Sequence, residues 1–555
     1  MRKINLLFLM LLLPLFLFSQ VTINPDYKIV GTITPEMLNT TSLIGAWKVR
    51  GGLDMNKNGK MEIVILTDVA EDNSGDEFNQ LYWLEENEEG NYDLLWSYTN
   101  FPIANSWNNF TVADVDQDGN QEIWVVLPSS IDYEPNPARL FCFEYDPVTG
   151  MPSEPTLTWN LGLEDNFDYR ATSVTIADLD GDGEMEIIIT SRQDDFWDYN
   201  YSGTWSTGRT VTIANYFLPI EPGCPDFAFS VLLRDSGPHL KGGYVFEAKV
   251  VDFDGDGVNE LWVFTWDYYT VNIYLPTASG QYEHLMELRA IAEDYGDDIG
   301  SRDGNFFCTL NGDGKMVGFM AGSTGDEGSS SLWVIESIDD IHNLTANNFK
   351  RLVYGEGGSN YRGGCIADFN GNGTPEFVVV DNTNSRIMSL EYNKVGSISD
   401  PANYSFTEIA DFSGFEYKNL QFAYSGYRSD GTLCLILPNL SVGELDQPSV
   451  YVLQYTQAIS VEKKAELPEG YNLSQNYPNP FNPSTNIEFS IPKATHVSLK
   501  IYNVLGQEML TLVNETKEAG SYIATFNAKS LPSGTYWYTI KTDNYTETKK
   551  MMLIK

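Results

Sequence analysis

Short apolar runs of four to eight residues alternate with polar, glycine-containing turns from about residue 40 to residue 458. Typical runs are "EIIIT", "ELWVF" and "EFVVV", and each of them leaves a polar loop that another apolar run enters. A third and a fourth run follow, as in "LYWLEE" and "LLWSYT". Short strands separated by turn residues, with little helical periodicity, predict an all-β fold.

The polar loop recurs with the pattern D-x-[DN]-x-[DN]-G-x-x-E. Five copies begin at Asp54, Asp114, Asp178, Asp252 and Asp368, and two degenerate copies begin at Thr309 and Gly426. Successive copies start 57 to 74 residues apart. Four strands per unit, repeated seven times, predict a seven-bladed β-propeller. The segment "YKIVGTI" from Tyr27 is expected to supply the fourth strand of the last blade.

The loop places oxygen-bearing side chains at its first, third and fifth positions and glycine at its sixth, like the start of a calcium loop. An EF-hand is excluded, because its twelfth-position glutamate is replaced by Val125 or Ile189 within an apolar run. The carboxylate stands instead at the ninth position, which suits a compact loop between two strands. The alternative is a solvated acidic turn. Five copies in register favour calcium, with about five sites.

The candidate calcium ligands are the first, third, fifth and ninth side chains of each loop and the carbonyl oxygen of the seventh residue. They are Asp54, Asn56, Asn58, Lys60 and Glu62; Asp114, Asp116, Asp118, Asn120 and Glu122; Asp178, Asp180, Asp182, Glu184 and Glu186; Asp252, Asp254, Asp256, Val258 and Glu260; and Asp368, Asn370, Asn372, Thr374 and Glu376. The second, third and fourth sets carry four ligand carboxylates each, so tighter binding is expected there than in the first and last sets, which carry two. Thr309 and Gly426 cannot replace the first aspartate, so their loops are expected to be free of metal; the alternative is weak occupancy of the Thr309 loop through Asn311 and Asp313.

These units resemble the FG-GAP/VCBS repeats of integrin-type β-propellers, whose calcium loops use the same nine-residue pattern. The resemblance implies that calcium is structural and connects the first and second strands of a blade.

The C-terminal segment alternates apolar and polar residues in "NIEFSIP", "VSLKIYN", "YIATFNA" and "YWYTIKT", which predicts a small immunoglobulin-like β-sandwich. Its motifs "YPNPFNPST", "IYNVLGQE", "LPSGTYWY" and "KKMMLIK" occur in order and resemble the type A sorting domain of type IX secretion. The resemblance implies the secretion machinery as a partner, and surface attachment or release after the domain is removed. A carbohydrate-binding sandwich is the competing interpretation.

The N-terminus has Arg2 and Lys3 before an apolar run over residues 6–18, which is typical of a secretory signal peptide. The predicted organisation is a signal peptide at 1–20, the propeller at 21–458, a linker at 459–472 and the sorting domain at 473–555. No later run reaches transmembrane length, so the mature chain is expected to lack a membrane span. We expect an extracellular protein, released or attached to the outer-membrane surface of a Gram-negative bacterium.

The formal charge of −43 argues against nucleic-acid binding, which needs cations to replace the counterions of phosphates. The five cysteines are widely spaced without a CxxC pair, and buried thiols are expected. The four histidines are isolated, and no hydrolase, zinc-protease or phosphate-loop motif occurs. These observations predict a protein that is not an enzyme.

Because the acidic loops join first and second strands, a ligand face is expected at the opposite edge. The candidates there are the aromatic residues Trp197, Tyr199, Tyr201 and Trp205 of one long connection and the basic residues Arg170, Arg302 and Arg362, with Lys241 and Lys418. The aromatic residues would suit a sugar or a protein partner, and the basic residues would suit a carboxylated glycan. The alternatives are a local cap and local pairing with acids such as Asp168 and Asp303.

The sequence therefore predicts a secreted calcium-binding β-propeller that acts as a binding or adhesion module for a glycan or a protein. Two alternatives remain, a polysaccharide-degrading enzyme related to lyase-like propellers and a purely structural component of a surface layer.

Overall fold

The computed structural model describes a large part of the chain. The described residues are 21–40, 45–67, 79–88, 90–102, 104, 108–128, 139–160, 170–192, 210–216, 218–220, 228–235, 240, 245–265, 271–288, 305–310, 314–323, 330–354, 359–415, 419–428, 430–456, 470–476, 479, 481, 484–504, 507–517, 519–528, 534–542 and 544–553. The chain divides into two compact units, Met1–Tyr455 and Thr456–Lys555.

The first unit is built from antiparallel sheets that follow one another along the chain. In the described ranges its strands are β1 (Thr22–Ile23), β2 (Tyr27–Ile33), β3 (Ala46–Leu53), β4 (Glu62–Thr67), β5 (Leu81–Glu86), β6 (Tyr92–Tyr98), β7 (Asn109–Ala113), β8 (Glu122–Val126), β9 (Leu140–Glu144), β10 (Leu157–Trp159), β11 (Arg170–Ala177), β12 (Glu186–Arg192), β13 (Val211–Tyr216), β14 (Phe229–Asp235), β15 (Val245–Val251), β16 (Glu260–Thr265), β17 (Val271–Ala278), β18 (Gln281–Leu288), β19 (Asn305–Thr309), β20 (Met316–Ser323), β21 (Ser330–Ile335), β22 (Phe349–Tyr354), β23 (Tyr361–Ala367), β24 (Glu376–Asp381), β25 (Arg386–Tyr392), β26 (Tyr404–Asp411), β27 (Tyr424–Tyr427), β28 (Leu433–Pro438) and β29 (Val450–Tyr455). Short 3-10 helices occupy Ile341–Asn343, Ala346–Asn348 and Pro401–Asn403.

Five sheets consist of four consecutive strands each: β3 to β6, β7 to β10, β11 to β14, β15 to β18, and β19 to β22. The sixth sheet is β23 to β26 with β1 added at its edge, a strand that the sequence pattern did not predict. In the seventh sheet, β27, β28 and β29 are completed by β2, with Tyr27 opposite Tyr455 and Ile33 opposite Val450. The prediction that the Tyr27 segment supplies the fourth strand of the last unit is confirmed.

The first strands of the seven sheets contact one another in succession, from β3 through β7, β11, β15, β19 and β23 to β27, and β27 contacts β3 again. The contact between β27 and β3 is close, since a Cβ atom added to Gly426 would lie 2.7 Å from the backbone of Gly51 and Gly52. Only glycine allows two backbones to approach in this way. The unit is therefore a propeller-like all-β ring.

The apolar runs are continuous because the second strand of a sheet is buried on both faces. In β4, for example, all six residues are buried. Ile63 and Ile65 pack in a cluster shared with the seventh sheet, whereas Val64 and Leu66 pack in a cluster shared with the second sheet. Further buried clusters join the remaining neighbouring sheets in the same way.

The second unit has two antiparallel sheets around one buried cluster. Its strands in the described residues are β30 (Asn472–Leu473), β31 (Ser484–Ile491), β32 (Thr495–Tyr502), β33 (Glu508–Lys517), β34 (Gly520–Asn527), β35 (Gly534–Lys541) and β36 (Thr546–Leu553). One sheet has the order β30-β31-β34 and the other β33-β32-β35-β36. The four strands predicted here correspond to β31, β32, β34 and β35, whereas β30, β33 and β36 were not predicted.

Candidate metal centres

The five acidic loops lie between the first and second strands of their sheets. They comprise residues 54–62, 114–122, 178–186, 252–260 and 368–376, and each is named below by its first aspartate. Neighbouring loops touch: Lys57 of the Asp54 loop donates to the carbonyl of Gly119, and Gln117 of the Asp114 loop donates to that of Gly183. These contacts put the first three loops at one edge of the ring, and the other two follow the same ends of their first strands.

The backbone turns twice within each loop. The fourth residue has a left-handed φ, between 57° and 81°, and the sixth residue, a glycine in all five loops, has a φ between 82° and 95°. Glycine adopts this region without strain, which explains why it is invariant at the sixth position of these copies. The two left-handed residues curl the loop so that its alternate side chains converge.

The side-chain oxygens of the first, third and fifth positions accept the same backbone hydrogen bonds in every loop. The glycine N–H lies 2.8–3.1 Å from the first aspartate, and the fifth N–H lies 3.0–3.2 Å from the third side chain. The seventh N–H lies 2.7–2.9 Å from the fifth side chain. A plain turn does not need this full set of oxygen acceptors, so the framework explains the alternating Asp and Asn pattern.

The ninth-position glutamate is buried beneath the loop. One of its oxygens accepts the backbone N–H of the second residue at 2.6–2.8 Å in all five copies. Burial raises the pKa of the Glu122 carboxyl to about 9, of Glu260 and Glu376 to about 8 and of Glu186 to about 7, and it also raises the pKa of Glu62. The loops thus hold carboxyl groups whose charge is unfavourable without a cation.

Several carboxylate oxygens in the loops are buried and accept no hydrogen bond. They are Oε1 of Glu122, Oε1 of Glu186, Oδ1 of Asp114 and Oδ1 of Asp368. Glu122 and Glu186 are fully buried. A buried polar atom without a partner is costly, and a bound cation would satisfy these oxygens.

Three loops bring at least three carboxylates together, with one oxygen of each residue within 4.8 Å of the others. The groups are Asp114, Asp116 and Glu122; Asp178, Asp180 and Glu186; and Asp252, Asp254, Asp256 and Glu260. Asp118 and Asp182 do not belong to these groups, and Asp182 instead accepts a hydrogen bond from Ser279 at 2.6 Å. These are the three loops for which the sequence predicted the tighter binding.

The aspartate at the third position of each of these loops also accepts a hydrogen bond from the next sheet. Asp116 accepts the N–H of Ile220 at 2.7 Å, and Asp254 accepts the N–H of Ile341 at 2.6 Å. Asp180 accepts the N–H of Gly280 at 2.6 Å and the Tyr282 hydroxyl at 3.0 Å. These inter-sheet contacts use one oxygen of each aspartate and were not predicted from the sequence.

A glutamate on the third strand was missed by the sequence pattern. Glu144 ends β9 directly opposite Glu122, and its Oε2 is buried without a hydrogen-bond partner. Burial, together with the charges of Asp116, Asp118, Asp114 and Asp146, raises the pKa of Glu144 to about 8. The detectable signal was an acidic residue at or next to the end of the third strand, which recurs as Glu85 and Glu391 opposite Glu62 and Glu376.

The Asp54 loop surrounds its third-strand glutamate differently. Lys60 places its Nζ 2.8 Å from Oε1 of Glu85, and the amide nitrogens of Asn56 and Asn58 donate to Oε2 of the same carboxylate. In the Asp368 loop, Asn370 and Asn372 donate to Glu391 in the same manner. Lys60 thus already neutralises Glu85, the residue of the first sheet that corresponds to Glu144 in the second sheet.

The degenerate seventh loop places a cation at its third position. Gly426 lies within β27, and the Arg428 guanidinium is paired with Glu86 of the first sheet. Residues 311–313 of the other degenerate loop lie outside the described residues.

Most of the predicted ligand face lies outside the described residues, including Trp197, Tyr199, Tyr201, Trp205, Arg302, Lys241 and Lys418. Arg170 begins β11, and its side chain is not among those described. The Arg362 guanidinium donates to Oε1 of Gln421 at 2.7 Å. The described cysteines, Cys142, Cys308, Cys365 and Cys434, are free thiols, and all but the half-buried Cys308 are buried.

Two sequence families match parts of the chain. The FG-GAP-like repeat matches residues 54–125, and the secretion system C-terminal sorting domain matches residues 475–555. The chain carries an FG-GAP-like repeat and ends in a type IX sorting domain. The sorting domain makes the type IX machinery a partner and marks the chain as a secreted, cell-surface protein. In the described part of the chain, no helix is long and apolar enough to cross a membrane.

Similar solved structures have low sequence identity. PorZ of Porphyromonas gingivalis, a surface component of the type IX secretion system, is 10% identical with a TM-score of 0.35; the match covers 91% of this chain and 59% of PorZ. A fructofuranosidase from Schwanniomyces occidentalis is 10% identical with a TM-score of 0.28 and coverages of 95% and 90%. An arabinoxylan arabinofuranohydrolase from Bacillus subtilis is 9% identical with a TM-score of 0.27 and coverages of 95% and 99%. No curated protein matches the chain in sequence.

Proposed function

We propose that the first unit is a seven-bladed, calcium-loaded β-propeller that the type IX sorting domain, an immunoglobulin-like sandwich, delivers to the cell surface, where it acts as a binding module. The observation that carries the calcium assignment is the set of buried, unpartnered carboxylate oxygens in loops of uniform geometry. The seven successive sheets with closing contacts between β27 and β3 support the blade count.

Calcium fits these loops because it is a hard cation that prefers carboxylate and carbonyl oxygens. In the Asp114 loop, Asp114, Asp116, Glu122 and the carbonyl of Asn120 would hold the ion, and Glu144 would add a carboxylate from the third strand. The ion would neutralise groups that are otherwise buried as acids. It would also stabilise the connection between the first and second strands of one sheet, while Asp116 contacts the next sheet through its hydrogen bond from Ile220.

The five loops are not equivalent in this proposal. The Asp114, Asp178 and Asp252 loops have clustered carboxylates and the inter-sheet contact. In the Asp54 loop, Lys60 supplies a positive charge beside Glu85, which reduces the stabilisation that a bound metal ion would add. We therefore propose three tight sites and two weaker ones.

A binding role agrees with the proposal that one edge of the ring binds metal ions. The edge with the acidic loops is committed to structure, which leaves the opposite edge and the centre of the ring for a ligand. Surface delivery by the sorting domain places such a ligand outside the cell, where glycans and surface proteins are the available classes.

A glycan array tests the binding role and separates it from catalysis. The mature protein is applied with calcium, or with EGTA and an equal concentration of magnesium, and the bound glycans are then analysed for new chain ends. We expect binding that is lost with EGTA, and no cleavage. Calcium-dependent cleavage would favour the polysaccharide-degrading enzyme, and the absence of binding under both conditions would favour a structural component.

A further inference from the structure

The first unit contains a cavity of about 270 Å³ along its first strands. Its lining comes from β3, β7, β15, β19, β23 and β27, together with Phe422 just before β27. Because these are the strands that contact one another around the ring, the cavity lies at the centre of the propeller. It is separate from the acidic loops, which follow the ends of the same strands.

Cations outnumber acids among the described side chains that line the cavity. Lys48, Arg50 and Lys249 contribute three positive charges, and Glu247 contributes one negative charge. Lys249 is paired with Glu247, with 2.7 Å between Nζ and Oε1. The local excess of positive charge contrasts with the formal charge of −43 for the whole chain.

Aromatic rings hold the cations in the wall. The Nζ of Lys48 lies 3.6 Å from the ring centroid of Phe422, and the Lys48 residue is only 8% exposed. The guanidinium carbon of Arg50 lies 5.5 Å from the Tyr424 ring, and Nζ of Lys249 lies 5.0 Å from the Phe306 ring. Cation–π contact is favourable for a desolvated ammonium group, so the Phe422 ring stabilises the buried Lys48 ammonium in the cavity wall.

The width of the cavity depends on small residues in β23. A Cβ atom added to Gly363 would lie 2.3 Å from the Phe422 ring, and one added to Gly364 would lie 2.0 Å from the carbonyl oxygen of Val378. A larger residue at Gly363 would therefore displace the same ring that contacts Lys48, and one at Gly364 would push β23 away from β24. The glycines in "YRGGCIA" maintain both the space and the position of the cation.

We propose that this cavity binds a single carboxylate-bearing sugar unit, a uronic acid, with Lys48 and Arg50 receiving the carboxylate. The buried ammonium of Lys48 and the exposed guanidinium of Arg50, two residues apart on β3, favour a small anion, whereas the acidic charge of the rest of the chain disfavours a polyanion. Tyr424 and Phe306, beside the cations, add apolar ring surface to the wall for the sugar, and Asn109 and Ser425 place polar groups there for its hydroxyl groups. The volume suits one sugar ring, because sites for larger ligands begin at about 300 Å³.

The proposal rests on the binding role given above and names its ligand class. Calorimetric titration of the mature, calcium-loaded protein with galacturonate and glucuronate, and with galactose and glucose as neutral partners, tests it. We expect the acids to bind and the neutral sugars to bind at least tenfold more weakly. Equal binding of acids and neutral sugars, or no binding of either acid, would overturn it.

Variants locate the site. Arg50→Gln, at an exposed position, and Lys48→Met, which retains an apolar stem against Phe422, should each weaken uronate binding at least tenfold. Lys315→Met is the control, because Lys315 is an exposed partner of Asp339 outside the cavity; it should leave binding unchanged. Melting temperatures identify any variant that fails to fold. If Lys48→Met fails to fold, the uronate affinity of Arg50→Gln alone tests the site. If uronates fail while the array still shows calcium-dependent binding to other glycans, this inference is wrong and the binding role stands.

Discussion

Replacing Glu144 by glutamine removes one negative charge from the Asp114 loop while keeping nearly the same side-chain volume. Oε2 of Glu144 is buried without a hydrogen-bond partner opposite the fully buried Glu122. A divalent ion about 4 Å from one carboxylate charge is stabilised by about 2 kcal/mol even at the dielectric constant of water. That energy corresponds to about a 30-fold change in affinity. We therefore expect calcium to bind this loop about 30-fold more weakly in Glu144→Gln.

The assay is a calorimetric calcium titration of the mature protein after metal removal at pH 9, because the pKa of Glu144 is raised to about 8 and its carboxyl group is charged there. Glu85→Gln is the matched control, since Glu85 holds the same register position in the first sheet but is paired with Lys60. It should leave the tight calcium sites unchanged. An unaltered isotherm for Glu144→Gln would refute the assignment of this glutamate as a ligand.

Three further predictions concern stability. The pKa of Glu122 is raised to about 9 from an ordinary 4.5, so the calcium-free folded state binds a proton that the unfolded state releases. In EGTA-treated protein the free energy of unfolding should therefore fall as pH rises from about 4.5 to 9. At pH 7 this group alone should account for a loss of about 3 kcal/mol. Tyr282→Phe removes the hydroxyl that donates to Asp180 and should lower the free energy of unfolding by about 1–2 kcal/mol in a urea titration. Gly426→Ala forces a Cβ atom against Gly51 and should destabilise the first unit by about 1–3 kcal/mol in the same assay.

Each of these predictions has a control. With saturating calcium, the pH slope should disappear, because the ion replaces the proton on the buried carboxyl groups. Tyr427→Phe alters a tyrosine that is 60% exposed, and Gly470→Ala adds a methyl group that meets no atom within 4 Å. The reasoning would be contradicted if the control variants lost as much free energy of unfolding as the test variants. It would also be contradicted if the free energy of unfolding of the calcium-free protein rose with pH.

The sequence predicted the features that are local in the chain. The nine-residue loop contains its own candidate ligands and its own turn residues, so its position between two strands could be anticipated. The short apolar runs indicated strands, and the structure shows that the second strand of a sheet is buried on both faces. The pairing of β2 with β29 could also be anticipated, because the last unit lacked a fourth strand.

Features that depend on register between distant segments were missed. Glu144 faces Glu122 across a connection of variable length, and Asp116 reaches Ile220, 104 residues away. The cavity cations Lys48 and Lys249 lie on strands of different sheets, so only the closed ring brings them together. The sequence pattern pointed instead to basic residues ahead of the first strands, and among those Arg362 is engaged with Gln421.

Thermal unfolding of the mature protein with calcium and with EGTA tests the central claim most directly. A site at one hundred times its dissociation constant contributes about 2.7 kcal/mol to stability, so three such sites contribute about 8 kcal/mol. We predict that the melting temperature falls by several degrees in EGTA, is restored by excess calcium and is not restored by an equal excess of magnesium. An unchanged melting temperature after complete chelation would contradict the assignment of these loops as calcium sites.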